Sequence, residues 1–120
     1  MKPGVYNIVA KQSDWTLGLN WMDDGAPKDL ADFTAALVVR YKAESDTVVL
    51  ALTSEVDGGI TLDGEIFNIE FDVDEATMKA IKAGQYVYDL ELADGDGKSY
   101  PVLTGRFTVE GSTIRLPPSP

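Results

Sequence analysis

Cysteine and histidine are both absent from the 120 residues. Without cysteine there is no disulfide framework and no thiolate chemistry. Without histidine the chain lacks the commonest general base and the commonest metal ligand, and the usual serine-protease triad cannot be built. Basic residues are scarce, 10 against 20 acidic ones, for a formal net charge of −10. That balance repels nucleic acid, whose phosphates need clustered Lys and Arg, and argues against an anionic membrane surface. No apolar run is long enough to span a bilayer. None follows Met1-Lys2-Pro3-Gly4 that could act as a secretory signal, so synthesis and folding in the cytoplasm is the expectation. No glycine-rich stretch resembles a phosphate-binding loop.

What is present is alternation. Trp15, Leu17, Leu19 and Trp21 fall on one face of a strand, with Thr16, Gly18 and Asn20 on the other. Val5 to Lys11 reads as an opening strand that bends at Gln12 and Ser13. Met22 to Pro27 is turn chemistry, and Leu30 and Phe33 should plug one end of the core. Ala35, Leu37, Val39 and Tyr41 point inward on the next strand, followed by Val48, Leu50 and Leu52. Asp57-Gly58-Gly59 and Asp63-Gly64 are turns around Ile60 to Leu62. Phe67, Ile69 and Phe71 form a strand's apolar face, with Asn68 and Glu70 outside. Asp72 and Glu75 read as a capping box opening a helix over about 73–83, with Gly84 as its stop. Tyr86, Tyr88, Leu90 and Leu92 then alternate, Asp94 to Lys98 makes a hairpin loop, and Ser99 to Glu110 returns. Gly105 signals a bulge or a close backbone approach, and Pro101 suits an edge or a strand start.

These signals give seven to eight short strands and one short helix, expected as an all-β, immunoglobulin-like antiparallel sandwich over residues 1–112. A small barrel is the alternative. Residues 113–120, rich in proline, are expected to form an extended tail.

Candidate sites are few. Asp23, Asp24, Asp29 and Asp32 crowd one stretch, and Asp94 and Asp96 share a loop. Oxygen-rich loops can hold calcium, but Lys98 stands where a third ligand should be, so solvated turns are the expectation. Among 20 acidic residues no spacing singles out a glycosidase pair, and the serines fall near turns. Neither a catalytic residue, a cofactor nor a metal site is expected. Periodicity puts Trp15 and Trp21 in the core. Tyr6, Tyr41 and Tyr100 lie near strand ends, where Tyr is a usual interface residue. With Asp23, Asp24 and the tail residues Leu116, Pro117 and Pro118, they are the candidate protein contacts.

The order of motifs resembles a domain that recurs in tailed-phage genomes, the family containing the N-terminal domain of baseplate upper proteins. The likeness is carried by YNIVAKQSDWTLGLNWMDDGAPKDLADFTAALVVR and by GGITLDGEIFNIEFDVDEATMKAIKAGQYVYDLELADGDGKSYPVLTGRFTVEGSTIR, from about Tyr6 to Arg115. Its most specific part is Gly84 to Arg115, with the Gly84 to Leu90 strand and the Leu103 to Val109 strand. The resemblance implies an immunoglobulin-like sandwich that assembles into virions and presents or anchors other parts, with no catalytic residues to carry over. In the baseplate protein a long fibre-forming region follows; here a proline-rich tail does, which favours a stand-alone adaptor, neck component or head decoration protein. The expected partners are capsid, neck or tail proteins and further copies of the chain, with neither nucleic acid nor membrane. The expected location is the virion. A β-sandwich module binding carbohydrate or a host surface is the alternative, and it would show an exposed aromatic cluster with convergent polar groups.

Overall fold

The computed structural model describes residues 3–111. Eleven strands and one helix follow in order: β1 (Gly4–Val5), β2 (Ile8–Lys11), β3 (Trp15–Leu19), β4 (Met22–Asp23), β5 (Ala26–Pro27), β6 (Thr34–Arg40), β7 (Val48–Thr53), β8 (Ile60–Leu62), β9 (Ile69–Val73), α1 (Glu75–Lys79), β10 (Gly84–Ala93) and β11 (Ser99–Glu110). The larger sheet runs β1-β11-β10-β6-β7, with β2 also on β11; the smaller runs β3-β9-β8; β4 and β5 form a separate hairpin. The fold is all-β, and its two main sheets share one core.

Period-two alternation builds that core. On β10, Tyr86, Tyr88, Leu90 and Leu92 are all buried, as are Ala35, Leu37 and Val39 beside them on β6. Trp15 joins the two sheets. Its ring stacks on Phe71 of its own sheet at 5.7 Å and meets Phe107 of the other edge-on at 5.2 Å. Such ring pairs add about 0.5–1.5 kcal/mol each beyond the area they bury.

The strand count exceeds the expected seven to eight for two local reasons. The opening strand breaks at Tyr6 and Asn7, and the Met22–Pro27 turn is itself a small ladder. Pairing between the strands is antiparallel except where β1 and β2 lie parallel to β11, and one isolated parallel bridge joins Thr53 to Gly59. The break sits beside Gly105. A Cβ there would stand 2.3 Å from the Tyr6 carbonyl oxygen, so glycine permits the close approach expected at this position. The ladder's irregularity lies elsewhere, between Leu90 and Glu91, where Val102 has no partner on β10. Pro101 falls in the part of β11 that only β10 pairs, so its missing N–H faces an open edge.

Several sequence expectations are corrected. The helix is five residues, not 73–83, because Asp72 and Val73 are held in the ladder opposite Thr16 and Trp15. Its N-cap is therefore Asp74, which accepts from the Thr77 N–H at 2.9 Å, and not Asp72. Gly84 opens β10 rather than stopping the helix, whose C-cap is Ala80. Asn68, expected outside, is 3 % exposed, and Val48 and Tyr41, expected inside, are exposed. The β2–β3 connection clamps α1 at both ends. Asp14 accepts from the Glu75 N–H at 2.6 Å, and Gln12 donates to the Ile81 carbonyl at 2.7 Å.

Candidate functional site at the hairpin end

The β4–β5 hairpin turns at Asp24-Gly25 with φ of 52° and 82°. Two central residues with positive φ make the type I′ turn that matches strand twist, and Asp-Gly is a favoured pair for it. The Lys28 N–H donates to the Trp21 carbonyl at 2.8 Å and extends the ladder by one rung.

Asn68 fixes this hairpin to the body. Its Oδ1 accepts from the Trp21 N–H at 2.8 Å, and its Nδ2 donates to the Trp21 and Lys28 carbonyls at 2.9 and 3.0 Å. One buried side-chain amide thus pairs with backbone on both sides of the hairpin base. Asn20 completes the junction, accepting from the Asn68 N–H at 2.9 Å and donating to the Ile66 carbonyl at 3.4 Å. Residues 20–22 and 66–68 therefore run side by side beyond the end of the β3–β9 ladder. Met22 and Ile66, 50 % and 77 % exposed, lie on these adjoining segments with Phe67, 37 % exposed. The Phe67 ring lies over Gly18, where a Cβ would be 2.1 Å from it.

Behind the hairpin, Trp21, Phe33 and Tyr100 form a half-buried trio with ring centroids 5.9 to 6.1 Å apart. The Lys28 ammonium stands 5.5 Å from the Trp21 ring and 5.8 Å from that of Phe33, and it pairs with Asp23 at 3.6 Å. Lys98 stands 5.5 Å from the Tyr100 ring. Trp21 thus belongs to this cluster and Trp15 to the deep core.

The Asp94 loop meets the same end. Its carboxylate accepts from the N–H groups of Lys98 at 2.9 Å and Asp96 at 3.0 Å, and from the Tyr100 hydroxyl at 3.1 Å. The Lys98 N–H contributes most to holding the Asp94 carboxyl below its usual range. The Tyr100 hydroxyl is pushed up, chiefly because it donates to that carboxylate. Asp94 is a turn-forming residue whose oxygens are already engaged. Among the described residues no three carboxylates converge as a metal site.

The structure thus brings Asp23, Asp24 and Tyr100 together at one end. Tyr6 and Tyr41 lie toward the other end of β10, 41 % and 52 % exposed. The Tyr6 carbonyl accepts from the Tyr88 hydroxyl at 2.6 Å, and the Tyr41 ring packs against Tyr86 at 5.3 Å. Burial pushes both Tyr88 and Tyr86 up. Leu116, Pro117 and Pro118 lie outside the described residues. Residue reasoning did not single out Met22, Ile66 and Phe67, which the structure leaves exposed. The available signal was three large apolar side chains beside turn residues.

A second feature is a cleft of about 1090 Å³ lined by Glu55, Asp57, Asp63, Asp72 and Asp74, with no Lys or Arg in its wall. It repels anionic ligands. Among the described residues no helix is long and apolar enough to cross a membrane. No protein-family model matches the chain, and no curated protein matches it significantly.

Proposed function

We propose that this chain is a non-enzymatic structural protein of a tailed-phage virion, docking through its hairpin end onto a capsid, neck or tail protein. The observation that carries the docking reading is the union of Met22, Ile66 and Phe67 with Asp23 and Asp24 on a frame pinned by Asn68. Large apolar groups exposed on hydrogen-bonded backbone cost little ordering entropy when a partner covers them. The flanking carboxylates favour a basic rim on that partner and speed its approach. The virion part of the reading rests on the resemblance from Tyr6 to Arg115, whose family presents or anchors other virion parts.

Quantitative mass spectrometry of gradient-purified particles of the encoding phage tests this. A fixed ratio of this chain to the major capsid protein is expected, and its absence from particles would overturn the reading.

The aromatic trio favours a second reading, a carbohydrate or host-surface module, because Lys28, Lys98 and Asp94 converge on its rings. Sugar stacked there would shift Trp21 emission. Under the docking reading, cell-wall oligosaccharides leave the emission unchanged.

A further inference from the structure

The outer face of the larger sheet differs in charge from the rest of the molecule. Because Tyr86, Tyr88, Leu90 and Leu92 point inward, their neighbours Gln85, Val87, Asp89 and Glu91 point out along β10. The pairing register aligns three outward rows across the sheet. The first holds Arg106, Val87 and Arg40. The second holds Val5, Thr104, Asp89, Val38 and Ala51, and the third Pro101, Glu91, Ala36 and Thr53. Lys11 and Glu110 pair at the sheet's end, on the same face. Three cations (Lys11, Arg40, Arg106) offset three anions (Asp89, Glu91, Glu110), so the face is neutral on a chain of net charge −10. Neither Arg40 nor Arg106 forms an ion pair among the described residues. The other positions are mostly Val, Ala, Thr and Pro. Two depressions, of about 480 and 520 Å³, lie to either side of Asp89.

We propose that this face binds a second copy of the chain, related by a two-fold axis that crosses β10 between Val87 and Asp89. Charge selects the occupant. Two chains of net charge −10 repel each other over most of their surfaces, but not where the face is neutral and carries its own complement. An axis perpendicular to the strands sets the partner's Asp89 over Val87. There it lies between Arg106 on β11 and Arg40 on β6, each about 4.8 Å to one side. The two-fold repeats the arrangement, so both arginine pairs gain a carboxylate partner at once, each Asp89 keeping the hydrogen bond its Oδ1 accepts from the Thr104 hydroxyl at 2.9 Å. The valines and alanines around them supply the apolar area. Nucleic acid is a poor occupant, since Asp89 and Glu91 lie among the arginines.

Sedimentation velocity of the full chain tests this, with folding checked by circular dichroism. The wild type dimerises between about 1 and 100 μM, and either Asp89→Arg or the pair Arg40→Glu, Arg106→Glu raises Kd by at least about tenfold. Mixing the two variants restores the dimer, because each then supplies the charge the other lacks. A wild-type monomer throughout that range overturns the proposal, as does a dimer indifferent to these substitutions. If the paired glutamates unfold the chain, Asp89→Arg at an exposed position carries the test alone. The hairpin end is a different surface, so a monomer would leave the docking reading standing.

Discussion

The side chain of Asn68 bonds both the N–H and the C=O of Trp21, at 2.8 and 2.9 Å. A side chain here does what a neighbouring strand's backbone does elsewhere, and it holds the hairpin end in place. Asn68→Ala leaves the Trp21 N–H and the Lys28 carbonyl without these partners. It should cost about 2–3 kcal/mol in chemical denaturation. Asn68→Asp keeps the shape but turns an acceptor toward two carbonyls, and should cost at least as much.

Gly105 and Gly18 both make room for a neighbour, but for different kinds. Alanine at 105 meets the Tyr6 backbone at 2.3 Å, and backbone there cannot move without breaking the β1 pairing. A loss of about 2–3 kcal/mol is expected from thermal or urea unfolding.

Alanine at 18 instead meets the Phe67 ring, a side chain that can swing outward. Gly18→Ala should cost about 1 kcal/mol alone and close to nothing in a Phe67→Ala background, because the conflict is with that ring. Equal cost in both backgrounds would contradict the placement of Phe67.

Acid should loosen the helix start and the Asp94 loop together. Thr77 holds the Asp74 carboxyl below its usual value of 3.8, through its hydroxyl first and then its N–H. The Lys98 N–H does the same for Asp94. A lowered folded-state pKa contributes stability that is present above the unfolded value and lost as pH falls through the folded one. Unfolding midpoints should therefore drop below about pH 4, and less steeply in Asp74→Asn and Asp94→Asn.

Met22→Asp combined with Ile66→Asp should separate folding from docking. Both side chains are exposed, so the unfolding free energy should stay within about 0.5 kcal/mol of wild type. Incorporation of the variant into particles, read by mass spectrometry, should fall at least about tenfold.

Much of the fold was legible because alternation survives wherever a strand has one buried face. The inward sets of β3, β6, β10 and much of β11 follow from it. The helix boundary was not legible. Asp72 with Glu75 and Asp74 with Thr77 both resemble N-terminal capping patterns, and only the long-range pairing of Val73 with Trp15 chooses between them. The burial of Asn68 was hidden for a related reason. Parity from Phe67, Ile69 and Phe71 points Asn68 outward, but the strand begins only at Ile69, and the residue before it follows the hairpin instead. Asp23, Asp24 and Tyr100 were legible as contact candidates from residue type. The adjacency of residues 20–22 to residues 66–68 depends on groups more than 40 positions apart in the chain and leaves no local mark.

The most direct test of the proposed virion role is antibody labelling of intact particles of a tailed phage carrying this gene, viewed by electron microscopy. Label at one defined position on the particle, whether head surface, neck or tail tip, is the predicted result. No label on intact or disrupted particles would contradict the virion role.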